Sequence, residues 1–192
     1  MIAERWGFTR TQVDEYALAS HEKAAEAQDS GRFEAQIVPV TTDDGQLVSQ
    51  DEGIRRGGTL ESMAGLKTVF KAEGGVVTAG NASQISDGSA GLLMMTSDKA
   101  RDLGLTPLAR VHTAVLAGAD PVIMLTGPIP ATRKALQRSG LAIEQIGAFE
   151  VNEAFATVPL AWLAELGADA SRSTRTAARS RWDIRSAVPV PG

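Results

Sequence analysis

Two histidines and no cysteine restrict the chemistry open to this chain of 192 residues. Without a thiol there is no disulfide, no cysteine-ligated zinc and no thiolate nucleophile. With His21 and His112 alone, a histidine-based metal site is not expected. The polar groups best suited to a ligand stand in Asn152-Glu153-Ala154-Phe155-Ala156, after the largely apolar run Ile146–Val151. This order predicts a strand end feeding a helix N-terminus, where free N–H groups and the positive dipole end face outward. There the Asn152 amide can fix a water or a carbonyl oxygen, and Phe155 can form an apolar wall. Arg55 and Arg56 lie beside Gly53, Gly57 and Gly58. They fit either a solvated basic turn or a phosphate contact, since guanidinium groups match phosphate oxygens. Thr78-Ala79-Gly80-Asn81-Ala82-Ser83 is a run of small residues in which glycine lets another group approach the backbone. His21 and His112 are expected to be structural, His112 partly buried in a strand.

The elements that must position these groups are legible in outline. Thr9-Arg10-Thr11-Gln12 has the form of a capping box. Val13, Tyr16, Ala17, Ala24 and Ala27 then share one helical face, with Ser20 in the stripe, and the helix ends near Ser30-Gly31. Ile37–Val40 and Gln46–Val48 read as a hairpin around Asp43-Asp44-Gly45, with Pro39 marking an edge. A short helix is expected from Thr59 to about Phe70, a strand at the start of Gly74–Ser83, and a helix from Asp87 to Gly104 that buries Leu92, Leu93 and the Met94-Met95 pair. Strands are expected at Leu108–Leu116 and Gln145–Val151, and a helix at Ala131–Arg138 closed by Gly140. The last helix carries Val158, Trp162, Leu163 and Leu166 and ends at Gly167, with Pro159 kinking it or delaying its regular part. Strands alternating with helices argue α/β layering.

Composition agrees with a globular chain of one or two domains: 43% hydrophobic, 22% charged, aromatics at 5%. The net charge of −4 gives nucleic-acid binding no overall electrostatic support. No apolar run approaches the roughly 20 residues of a membrane span, and Met1–Arg10 lacks a signal-peptide core. A cytoplasmic protein is the default expectation.

Four stretches in this order resemble the thiolases, the acyl-CoA acyltransferases of fatty-acid oxidation and acetoacetyl-CoA synthesis: Arg55–Ser62, Thr78–Ser83 with Asp87-Gly88, Thr126–Ala131, and Asn152–Ala156. The resemblance runs from about Trp6 to Ala168. It implies a layered α/β fold in two similar halves, with a loop domain inserted in the first. Residues 1–84 would be a portion of the loop domain, 85–105 a returning segment of the first half, and 106–170 an incomplete second half. It further implies that Arg55 (or Arg56) and Ser62 lie near the nucleotide end of coenzyme A. Ala79, Gly80 and Ser83 would line the pantetheine tunnel, Asn152 would hold the water of an oxyanion hole, and Ala154 and Phe155 would wall the thioester. Coenzyme A or acyl-CoA would be substrate rather than resident cofactor. A homo-oligomer, or a partner carrying the other thiolase half, would be the protein partner.

In that family a cysteine thiolate attacks the 3-oxo carbonyl and releases acetyl-CoA, and coenzyme A then takes the acyl group. The nucleophile requires a base, and each oxyanion donor is worth about 3 kcal/mol. This chain has neither the nucleophile, the Gly-His-Pro histidine nor the second cysteine. From Ser171 onward the character changes to an arginine-rich tail, residues 171–192, which reads either as a disordered anion-binding tail or as a shifted reading frame. Back-translated Arg172–Ala187, shifted by two bases, spells Val-Asn-Pro-Asn-Gly-Gly-Ala-Ile-Ala-Leu-Gly-His-Pro-Leu-Gly. Trp182-Asp183 forces the glycine of that Gly-His-Pro, and Asp183-Ile184 permits only His or Tyr next. A frameshift product is therefore expected there, and the chain by itself is expected to be inactive. A non-catalytic acyl-CoA-binding module and a complementing subunit are the alternatives.

Overall fold

In the computed structural model, residues 1–173 are described. The expected frameshift tail lies outside them, apart from Ser171–Ser173. There Arg172 ends a 3₁₀ turn and its carbonyl accepts from the Phe149 N–H at 2.8 Å, while Ser173 bridges Phe149 in parallel.

Six α-helices and one hairpin, with three short 3₁₀ turns, make up the regular structure among the described residues: α1 (Ile2–Trp6), α2 (Arg10–Asp29), β1 (Val40–Thr41), β2 (Leu47–Val48), α3 (Leu60–Ala64), α4 (Ser97–Asp102), α5 (Pro128–Ser139) and α6 (Thr157–Leu166). The capping box is formed at α2, where the Thr9 side chain accepts from the Gln12 N–H and Gln12 reaches back to the Thr9 N–H. Together they satisfy two of the donors a helix start leaves free. Val13, Ala17 and Ala27 of the expected stripe are buried. α5 begins at Pro128, whose missing N–H costs nothing in a first turn, and closes on Gly140 at φ 72° with its N–H bonded to Leu136 O.

The core has two parts, and α6 contributes to both. One gathers Val13, Ala17, Met63 and Ala156, with Phe8, Tyr16 and Leu160 packed against it. The other gathers Ile129, Phe149, Val151 and Trp162, with Trp6, Leu163 and Leu166 at its margin. Thus α6 packs on α1, α2 and α5, while α2 also packs on α3. Pro159 is the third residue of α6. Its ring is tolerated there because the first four N–H groups of a helix lack intrahelical acceptors. The regular helix starts at Thr157, so Asn152–Ala156 leads directly into the helix N-terminus.

Other expectations are corrected. The hairpin forms with Val40 opposite Val48 and Thr41 opposite Leu47, but with two residues per strand. The strands expected at 74–83, 108–116 and 145–151 are absent as ladders. Their places hold isolated bridges, Thr68 with Thr78, Ala82 with Phe155 and Phe149 with Ser173, or no pairing. A strand is stabilised by its neighbour's hydrogen bonds, and beyond these single bridges no neighbour forms a ladder with these segments among the described residues. The helix expected from Asp87 shrinks to Ser97–Asp102, capped by Thr96. Upstream of it Leu92, Leu93 and Met94 stand exposed, and Met95 lies at the edge of exposure, so the methionine pair is not core. An apolar helical face needs a packing partner to be stable, and none covers this one among the described residues. His112 is exposed rather than partly buried. α3 stops at Gly65, well short of Phe70.

Candidate functional site

Two loops more than sixty residues apart in sequence are joined main chain to main chain. Ser83 N–H donates to Ala154 O at 3.0 Å, Ala156 N–H donates to Asn81 O at 3.0 Å, and Ala82 bridges Phe155 in antiparallel fashion. The small-residue loop is thereby set against the Asn152–Ala156 stretch. Gly80 is closely packed, for a reason the sequence did not show. A Cβ there would lie 2.6 Å from Met63 Sδ and 2.6 Å from Leu66 Cδ1, so the close approach is to the α3 region. Phe155 turns its ring against Phe70, with centroids 5.9 Å apart and planes at 73°, an edge-to-face geometry favoured by the ring quadrupoles.

Both loops hang from α2. Arg10 Nε donates to Asp14 Oδ2 at 2.6 Å, and Asn81 Nδ2 donates to Asp14 Oδ1 at 2.7 Å and to Val76 O at 2.9 Å. Asn81 Oδ1 accepts the Thr78 N–H at 3.0 Å. Asp14, Thr78 and Asn81 are all buried, so this network must be fully paired to be tolerated. One turn further along α2, Tyr16 and Ser20 donate to the carboxylate of Glu153, at 2.8 and 2.6 Å. Sequence reasoning missed Asp14, Asn81 and Glu153 and placed Tyr16 and Ser20 in an apolar stripe. The signal that could have found them is the pair of polar i, i+4 couples, Arg10/Asp14 and Tyr16/Ser20, on the face otherwise read as core.

The basic segment closes an open cleft of about 630 Å³ against α2, lined by His21, Glu22, Ala25 and Asp29 on one side and Arg55 to Gly58 on the other. The two arginines separate here. Arg56 forks onto Asp29 through two contacts of 2.8 Å and also donates to Gln28 Oε1 at 2.7 Å. That pairing raises the Arg56 guanidinium and lowers the Asp29 carboxyl from their ordinary values. The Arg55 guanidinium is exposed and makes no ion pair among the described residues. Its backbone N–H donates to His21 Nδ1 at 3.2 Å.

Burial lowers His21 below its ordinary value of 6.5, and the neighbouring Arg55 charge adds to this. In the folded chain the neutral ring is therefore favoured, and the acceptor role of Nδ1 requires it. The associated stability is complete above the unfolded value near 6.5 and is lost as pH falls through the lowered folded value. We expect the unfolding midpoint of the wild type to drop more between about pH 7 and pH 5 than that of His21→Asn, as followed by circular dichroism. Identical pH profiles for the two proteins would refute the assignment.

The remaining sequence-predicted residues are placed as follows. Ser62 is exposed, and its hydroxyl serves the cap of α3, donating to Thr59 O at 2.8 Å and accepting the Thr59 N–H at 3.0 Å. Ala79 and Ser83 are exposed, Ala154 and Phe155 half-buried, and the Asn152 amide is exposed without a hydrogen-bond partner among the described residues. Ala154 and Phe155 are thus brought against Ser83, with Asn152 two residues before Ala154 and Gly80 next to Asn81 in the paired loop, while Arg55 lies at the His21 cleft. Among the described residues no group of three or more His, Cys, Asp or Glu could hold a metal ion.

The thiolase N-terminal domain family matches residues 1–98, and the thiolase C-terminal domain family matches residues 105–176. A steroid 3-ketoacyl-CoA thiolase of Mycobacterium tuberculosis is 48% identical over 172 residues, which cover 90% of this chain and 41% of that protein. An acetyl-CoA acetyltransferase of Rhizobium meliloti is 50% identical over 173 residues, covering 88% of this chain and 44% of that one. Among solved structures, the Bacillus anthracis acetyl-CoA acetyltransferase superposes with a TM-score of 0.87 at 44% identity, over 91% of this chain and 45% of its own. The dimeric peroxisomal thiolase of Saccharomyces cerevisiae gives 0.88 at 38% identity, over 91% and 44%. The chain thus spans less than half the length of these relatives. With both family matches falling on successive parts of one sequence and the same fold recovered in space, this chain belongs to the thiolase family.

Proposed function

We propose that this chain supplies the coenzyme A-facing and oxyanion-stabilising portion of an acyl-CoA acyltransferase that cleaves 3-oxoacyl-CoA to acetyl-CoA and a shortened acyl-CoA, or runs the reverse condensation. The observation that carries this reading is the pairing of Asn81–Ser83 with Ala154–Ala156. It sets an apolar wall, Ala154 and Phe155, against Asn81, Ala82 and Ser83 of the small-residue loop, and the exposed Asn152 stands two residues before Ala154 on the same stretch. Such an arrangement suits a thioester whose carbonyl oxygen becomes negative during attack, with Asn152 orienting a water toward it. Arg55 is the free guanidinium for a phosphate of the nucleotide. Arg56 is spent on Asp29. Ser62 serves the nucleotide end only as an acceptor, since its proton is bonded to Thr59 O. Coenzyme A and acyl-CoA enter as substrates, and the cytoplasm is the proposed compartment. No described helix is long and apolar enough to cross a membrane.

The chain contains no cysteine, so the acyl-accepting thiolate is not among its residues. Purified on its own, it should show no thiolysis of acetoacetyl-CoA above background, because removing the nucleophile from a cooperative site costs several orders of magnitude. Coenzyme A should still bind. Arg55→Ala should weaken that binding about tenfold, as loss of one charge-assisted contact does, and Arg56→Ala should leave it unchanged. Calorimetric titration and a thiolysis assay decide it. Turnover by the cysteine-free chain, or equal affinity for coenzyme A in the wild type and Arg55→Ala, would overturn the reading.

A complementing role is favoured by a second observation. Leu92, Leu93, Leu108, Val111, Leu116 and Val122 are all exposed along 85–123, a stretch with one short helix and no paired strand. Apolar surface of this extent marks an association site. We propose a second copy or a chain carrying the other thiolase half as its partner, with activity appearing when the latter is mixed in.

A further inference from the structure

The direction of the Asn152 amide is set by whatever holds the peptide beside it, since the amide itself is exposed and has no hydrogen-bond partner among the described residues. The main-chain ties around it are the Phe149 N–H on Arg172 O before it and Ala154 O and the Ala156 N–H after it. The nearest side-chain tie belongs to the adjacent residue. Glu153 Oε1 accepts from the Tyr16 hydroxyl at 2.8 Å and Oε2 from the Ser20 hydroxyl at 2.6 Å. Tyr16 and Ser20 stand four residues apart on α2, and this spacing brings both hydroxyls to one side of the helix. Two donors on the two oxygens of one carboxylate fix its plane as well as its position, and hydrogen bonds to a charged acceptor are shorter and stronger than neutral ones. The support is firm, because α2 is capped at Thr9 and buries Val13 and Ala17. An acid at 153 is therefore placed to serve the loop rather than the solvent.

We infer that Glu153 is a positioning residue that, through Tyr16 and Ser20, sets the height and direction of the Asn152 amide. The chemical purpose of that setting, a donor held over the thioester, rests on the acyl-CoA reading above. The geometry assigns Glu153 no contact with substrate. It acts through its neighbour, and the same helix carries the Asp14–Asn81 anchor of the facing loop, so α2 fixes the spacing between the two ligand-facing loops.

The test is made on the full chain by ¹⁵N–¹H spectroscopy and hydrogen exchange, with no ligand present. In the wild type the Asn152 side-chain amide, identified by its loss in Asn152→Ala, should give one sharp pair of signals. In Glu153→Gln these signals should shift and broaden. Protection of the Ser83 and Ala156 amides should fall at least about tenfold, the expected scale for losing charge-assisted bonds in a local opening. Protection of the Trp162 indole N–H, bonded to Thr132 Oγ1 in the other part of the core, should stay the same, which separates positioning from general destabilisation. Tyr16→Phe combined with Ser20→Ala keeps the acid and removes its donors, and it should reproduce the change. Unaltered Asn152 signals in both variants, or an equal loss of protection at Trp162, would overturn the inference. Coenzyme A is then added to the wild type. If it perturbs neither Asn152 nor residues 79–83 while the Glu153 effects hold, the functional reading fails and the positioning stands.

Discussion

Trp162→Ala should lower the unfolding free energy by about 3–5 kcal/mol, the range for truncating a large buried aromatic. Trp162 is 2% exposed and lies where α6 meets α5. Its ring meets Phe149 at 4.9 Å between centroids with planes at 60°, and its indole N–H donates to Thr132 Oγ1 at 2.9 Å. The alanine leaves a cavity that the surroundings can fill only in part, because Ile129 is held in α5 and protein interiors are close-packed. Thr132 loses a donor yet keeps its own bond to Pro128 O at 2.8 Å, so the cost is mainly packing. Trp162→Phe keeps the edge-to-face contact and should cost less than half as much. Urea unfolding followed by circular dichroism gives both values. Since α6 enters both parts of the core, the alanine variant should shift one cooperative transition rather than split it. A loss under about 1 kcal/mol would mean that this face of α6 is not a stabilising contact.

Asp14→Ala should cost a similar amount, about 3–5 kcal/mol, for an electrostatic reason. Asp14 is 2% exposed and takes Arg10 on one oxygen and Asn81 on the other. Its loss leaves the half-buried Arg10 guanidinium with carbonyl acceptors of Met63 and Leu66 but no counter-charge. Removing one member of a buried pair is far more damaging than the pair is stabilising. Asp14→Asn retains the shape and one acceptor and should be milder. Asp14→Ala also removes one of the three side-chain bonds that hold Asn81, leaving those to Val76 O and the Thr78 N–H, so affinity for coenzyme A should fall along with stability. Denaturant unfolding and calorimetric titration of the three proteins measure both effects. Wild-type stability in Asp14→Ala would show that the network is solvated rather than buried.

The part of this protein readable from sequence is the part encoded over a few neighbouring residues. Thr9 and Gln12 specify a helix start by reciprocal bonds three positions apart, and α2 begins there. Gly140 and Gly167 end α5 and α6 because each adopts a positive φ that residues with a Cβ disfavour. Asp43-Asp44-Gly45 turns the hairpin. The ordered series of small-residue and Asn-Glu-Ala-Phe-Ala motifs carried the family, which the domain matches then showed. Tertiary structure alone decided the rest. Strands at 108–116 and 145–151 and the helix from Asp87 were read from apolar patterning, but patterning describes a face, and a face forms a regular element only when a neighbour supplies hydrogen bonds or packing. Which arginine is free depended on Asp29, distant in sequence from both candidates. Glu153 had no assigned part in the sequence, and the fold brings Tyr16 and Ser20 to it from across the chain. Local sequence fixes caps and turns because their energies are local, whereas a site assembled from distant loops has no signature until the chain closes on itself.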